Sequence, residues 1–91
     1  MTPREKWLTD EGMAAGRDLA DTVAAVALRS TAHAPGVAGE VEFDRRLSDA
    51  AAGLIRKGMP ARDVEIWRAA VMIGAGVRLK ERAMMASAAN D

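Results

Sequence analysis

Apolar and small residues recur at intervals of three and four over most of the chain, the spacing of one face of a helix. Leu8, Gly12, Ala15, Leu19, Val23 and Val26 form the first such row, preceded by Thr2-Pro3-Arg4-Glu5. In that opening Thr2 can cap a helix, Pro3 suits its first position and Glu5 completes a capping box. The pattern predicts helix over residues 3–31. A break near residues 9–12 is the alternative, because Gly12 and Gly16 each weaken a helix by roughly 1 kcal/mol relative to Ala, and Thr9 or Asp10 could cap a second segment.

Residues 32–39, AHAPGVAG, read as a loop, with Pro35-Gly36 marking a turn and Gly39 a second break. Helical spacing resumes with Phe43, Leu47, Ala50, Ala51 and Leu54, predicting a second helix over residues 40–57. Arg56 and Lys57 suit its negative end, and Gly58 suits the left-handed position just beyond it. Pro60 then opens a third helix, residues 60–87, with a frayed tail at 88–91. Val64, Trp67, Val71 and Gly74 lie on one face of it, and Ile66, Ala70, Ile73, Val77 and Met84 on an adjacent one. A helix apolar over so wide an arc is expected to be central in the fold or shared with a partner. The fold class expected is therefore all-α, a small single-domain bundle of three principal helices.

Composition changes that picture in one respect. A chain of 91 residues buries only roughly 60 to 65% of the surface it exposes when unfolded, so its stability margin is thin. With no cysteine, neither disulfides nor thiolate metal sites can add to that margin. Trp7, Phe43 and Trp67 are the only aromatics, and much of the remaining apolar content is alanine, which buries little area per residue. Either the helices pack very closely or a second subunit completes the core, and a homodimer is expected.

Charge narrows the function classes. The 13 basic and 13 acidic residues balance, which argues against coating nucleic acid or anionic membrane through bulk electrostatics. From Arg56 to Arg82, however, Arg56, Lys57, Arg62, Arg68, Arg78, Lys80 and Arg82 stand against Asp63, Glu65 and Glu81. No apolar run approaches the roughly 18–20 residues that span a bilayer. The stretch LADTVAAVAL, residues 19–28, followed by Ala32-His33-Ala34, imitates a secretory leader. Asp21 interrupts it, and Glu5, Asp10, Glu11 and Asp18 occupy what should be a short positive region, so the chain is expected in the cytoplasm.

Four constellations carry candidate chemistry. Gly74-Ala75-Gly76 after an apolar run imitates a dinucleotide-binding turn, but the required third glycine is Leu79, and only 12 residues follow it. That is too short for the βαβ unit and the downstream acid of the fingerprint. The positive reading of the same residues is close helix packing, with Gly74 and Ala75 facing Gly12 and Gly16 within the fold or across a dimer. Both Gly74 and Gly76 are then expected to be helical and packed.

Residues 51–68 imitate a helix-turn-helix. Gly58 sits at the turn, and Met59, Val64 and Trp67 take the supporting positions one, six and nine residues later. Leu54 and Lys57 fit the upstream half less well, and any helical hairpin with a glycine turn gives the same pattern. Arg56, Lys57, Arg62 and Arg68 are the DNA-binding candidates on this alternative. The alternating VEFDRRL, residues 41–47, with Ser48 as a cap, resembles a ribbon-helix-helix protein in outline, but leaves only about two and a half turns before Gly58 for the next helix.

Catalysis finds little support. His33 is the only histidine and lies in the loop, and the carboxylate pairs Asp18/Asp21 and Asp44/Asp49 are simply read as solvated faces beside Arg17, Arg45 and Arg46. No cofactor and no metal are expected. The interaction candidates are Trp7 and Leu8 near the start, and Met72, Met84 and Met85 as an adaptable surface. Trp67 reads as core, whereas Trp7 fits a partner contact and an internal anchor equally. The expected function is a non-enzymatic protein–protein interaction module, regulatory, adaptor or inhibitory, docking on a larger macromolecule. The alternative is a DNA-binding transcriptional regulator.

Overall fold

The computed structural model describes residues 1–29 and 34–89, and these form three α-helices with no strand among them: α1 (Pro3–Ala27), α2 (Pro35–Arg56) and α3 (Ala61–Ala89). The VEFDRRL stretch is thus part of α2, not a strand, and its alternation belongs to a helix surface laced by ion pairs. Glu42 pairs with Arg45 and, at 2.6 Å, with Arg46, and Arg45 reaches Asp49 at 3.4 Å.

The start of α1 follows its local sequence. Thr2 has extended backbone angles, and its hydroxyl accepts the Glu5 N–H at 3.1 Å, with Pro3 in the first turn. No break occurs near residues 9–12. Gly12 and Gly16 are helical and buried, and α3 lies directly on them. The helix ends at Ala27, short of residue 31, where the Arg29 N–H bonds back three residues to the Val26 carbonyl.

The loop expected over 32–39 does not reach residue 39, because α2 already begins at Pro35; residues 32 and 33 lie outside the described residues. Pro35 occupies the first turn, where its missing N–H costs nothing and its fixed φ suits the helix. Ala38 is buried, and Gly39 sits so that a side chain there would touch Val23 and Ala27 at about 3.6–3.7 Å. Packing against α1 draws this Pro-Gly segment into helix, an outcome its local residues do not decide. At the other end, Gly58 has φ +95°. The Gly58 N–H bonds to the Ile55 carbonyl at 3.0 Å and the Met59 N–H to Leu54 at 3.1 Å, the Schellman arrangement that stops a helix. Then α3 starts at Ala61, with the Pro60 carbonyl accepting the first helical bond from Val64, and runs through Ala89.

The helices lie side by side in a thin layer of 44 × 30 × 13 Å. The central helix is α1, not α3: it packs extensively on α3 and also on α2, while α2 and α3 touch each other little. Ion pairs Arg4–Asp63 and Arg17–Glu81 advance in the same sense along both helices, so α1 and α3 run parallel. Leu8, Ala20, Val23, Leu47, Ala51, Val64, Ala70, Val71 and Ala75 form the core. The radius of gyration is 14.6 Å, against about 12 Å for a compact domain of this length. The surface area is 6167 Å², roughly 1,000 Å² above the ~5,100 Å² usual for a folded monomer of this mass.

Candidate protein-docking surface

The crossing of α1 and α3 is made of small residues. Gly12, Gly16 and Ala20 on α1 meet Ala70, Val71, Gly74 and Ala75 on α3, and all are buried. A Cβ on Gly12 would lie 2.6 Å from the Cβ of Ala70 and from the Trp67 carbonyl oxygen. One on Gly16 would lie 2.8 Å from the Ala75 nitrogen, and one on Gly74 2.8 Å from Met13 Cα. Real Cβ atoms essentially never come under 3.0 Å, so the two backbones occupy the space that side chains would need. Such contact gathers dispersion and weak Cα–H···O interactions over a long stretch of helix. Gly76 is different: it is helical, but nothing stands within 4 Å of where its Cβ would be.

A second device holds the same helices beyond the glycines. Arg17 forks onto Glu81 with two hydrogen bonds of 3.0 Å, Arg78 reaches Asp21 at 2.9 Å and Glu81 at 3.3 Å, and Arg82 reaches Asp21 at 2.9 Å. Hydrogen bonding from Arg78, then from Arg82, holds the Asp21 carboxyl below its ordinary value, and Arg17 does the same to Glu81. Asp21 is therefore no solvated half of a carboxylate pair. Its partner lies 57 positions away in sequence, and the only local signal was a charge interrupting an apolar run.

This network also revises the basic excess of the third segment. Arg78 and Arg82 are committed to carboxylates of α1 and of their own helix. Arg56, Lys57, Arg62 and Arg68 are exposed, and none makes an ion pair among the described residues. Arg56, Lys57 and Arg62 flank the Gly58 turn in sequence, and Arg68 lies about two turns into α3. Of the helix-turn-helix supports, Val64 is buried and Met59 and Trp67 are half-buried, but the two helices they should bind together hardly touch.

The interaction candidates separate into inside and outside. Leu8, expected on a docking surface beside Trp7, is wholly buried, with 0% of its area exposed. Its position in the row Leu8–Gly12–Gly16 points it inward. Trp7 is 48% exposed; Arg4 stacks on its ring at 5.0 Å while also pairing with Asp63 of α3 at 3.1 Å. Met72, Met84 and Met85 are exposed, as are Ile73, Val77 and Leu79. With α1 on one side only, the wide apolar arc of α3 is left in two uncovered rows. Ile66, Ile73, Val77 and Met84 make an outer row at intervals of seven, four and seven. Met72, Gly76 and Leu79 face instead a hollow between α2 and α3.

That hollow is an open groove of about 490 Å³. Ala20, Val23, Ala24 and Ala27 of α1 floor it, and Gly36, Gly39, Glu40 and Phe43 of α2 form the far wall. Sequence reasoning missed it. Its residues come from three helices, and only their crossing angles bring them together. His33 lies outside the described residues. Among the described residues no group of three or more His, Asp or Glu side chains is placed to hold a metal, no side chain that is polar or charged is buried, and no helix is long and apolar enough to cross a membrane. Comparison with known protein families, with curated proteins and with solved structures finds no match.

Proposed function

We propose that this protein is a small, non-enzymatic interaction module of the cytoplasm, working as a homodimer that docks on a larger protein in a regulatory, adaptor or inhibitory role. The observation that carries this reading is the uncovered apolar surface of α3. Ile73, Val77, Met84 and Met85 stand exposed on a helix whose opposite side is tightly packed. An exposed apolar row on so small a chain fits a protein contact. Trp7, held in place by Arg4, adds a large rigid side chain of the type enriched at binding hot spots.

The test is capture of partners from the native host by wild-type protein and by an Ile73→Glu/Val77→Glu variant. Both residues are exposed, so the variant keeps its helices, and it is expected to lose the partner that the wild type retains. The DNA-binding alternative rests on four exposed basic residues, Arg56, Lys57 and Arg62 near Gly58 and Arg68 further along α3. Capture of no protein, together with a low-salt gel shift abolished by Arg62→Ala/Arg68→Ala, would put that alternative first.

A further inference from the structure

We infer that the groove between α2 and α3 is closed by a second copy of this chain, the two copies pairing through the same face about a two-fold axis. The inference rests on the interaction reading and assigns one of its two surfaces: the groove takes the second copy, and the outer row of α3 remains for the other partner.

Area is the first argument. The chain exposes 6167 Å², roughly 1,000 Å² more than a folded monomer of its mass. A standard protein interface removes about 800 Å² from each partner. An excess of that size, spread over the whole chain, leaves room for one such interface.

Shape is the second. The face carries both a ridge and a hollow: Met72 and Leu79 project from α3 with 61% and 54% of their areas exposed, beside a floor of alanines. Two-fold pairing requires a self-complementary surface, and here the ridge of each copy meets the hollow of the other. Gly76, with open space where its Cβ would be, lies between Met72 and Leu79 and lets two α3 helices cross closely at the axis.

Charge is the third. Among the described residues, Glu40 is the one charged residue lining the groove. Arg68 and Lys80 stand one turn to either side of Met72 and Gly76 on α3, exposed and without ion pairs among the described residues. Pairing brings Arg68 and Lys80 of one copy toward Glu40 of the other. A small-molecule ligand fits less well, since such sites orient their ligand through several converging polar groups and among the described residues this groove offers the Glu40 side chain alone.

Light scattering on the full chain, over a micromolar concentration series, tests the inference. Wild type is expected at twice the monomer mass of 9.6 kDa. Met72→Glu/Leu79→Glu should raise the dissociation constant by at least about tenfold, with unchanged helical circular dichroism because both side chains are exposed in the single chain. As an independent measurement, Gly76→Cys should give an interchain disulfide on mild oxidation, in a chain that otherwise has no cysteine.

A wild type that stays monomeric throughout overturns the inference, as does a dimer indifferent to Met72→Glu/Leu79→Glu. If the wild type is monomeric yet still captures a partner that Ile73→Glu/Val77→Glu loses, self-pairing falls and the interaction reading stands. If no partner is captured either, both fall.

Discussion

The two sides of α3 are built on opposite plans. Toward α1 the chain supplies Gly12, Gly16, Ala70, Gly74 and Ala75, and the backbones pack with no room for another carbon. Toward α2 it supplies Phe43, Met72 and Leu79, and the helices stay apart around an open groove. Small residues lose little side-chain entropy on burial, so close contact between them is retained almost in full. Larger side chains gain from burial only when something covers them, and here α2 does not. The comparison shows how an alanine-rich chain of this size can hold one helix pair firmly and still leave a large apolar face unpaired.

The most severe test of the tight side is a side chain at its centre. Gly16→Val or Gly74→Val must push the helices apart, because a Cβ at either site meets backbone, not a movable side chain. Thermal or denaturant unfolding should show a loss above about 3 kcal/mol, at the upper end for overpacked cores. A loss under ~1 kcal/mol would mean that the seam is far looser than the geometry indicates.

A smaller loss is expected where α2 ends. Gly58→Ala forces a side chain into a left-handed conformation at φ +95° and should cost about 1–2 kcal/mol. Removing this glycine disturbs the stop between α2 and α3 without touching the α1–α3 crossing.

Two residues from Gly74, the sign should reverse. Within the single chain Gly76→Ala meets open space and replaces a weak helix former with the best, so at concentrations low enough to keep the chain monomeric the fold should gain up to about 1 kcal/mol. Opposite signs at Gly74 and Gly76 in the same unfolding assay would locate the boundary between the two plans to within half a turn of helix.

The ion pairs that extend the tight side should make the smallest, pH-dependent contribution. Asp21 and Glu81 are held below their ordinary values of 3.8 and 4.5. A carboxylate whose pKa is lower folded than unfolded adds stability above the unfolded value and loses it as pH falls through the folded one. The melting temperature should thus be flat near neutrality and decline as pH drops below about 4. The decline should be shallower in Asp21→Asn, whose melting temperature at neutral pH should also be less sensitive to added salt.

Much of the helical outline is legible residue by residue. Thr2 and Pro3 open α1, Gly58 closes α2, and apolar spacing fills the lengths between. The glycine pattern is legible only in part. That Gly12, Gly16 and Gly74 could let helices approach is written in their lack of a side chain, but Gly76, equally small, faces the groove because of its angle around α3. Leu8 shows the same limit. Beside Trp7 it reads as a docking residue, but it also opens the row that continues through Gly12, and the packing of α3 on that row puts it in the core.

What the residues determine by themselves is local: which segments are helical, where caps and turns can fall, and which faces must avoid water. Those follow from spacings of a few residues and from the conformational limits of Pro, Gly and Thr. The tertiary structure alone decides that α1, not the more apolar α3, lies in the middle, and that Asp21 finds Arg78. It also decides that Pro35-Gly36 is the start of a helix and that Met72 and Leu79 remain uncovered. These outcomes depend on how closely one helix can approach another, which is a property of pairs of faces and is not carried by either face alone.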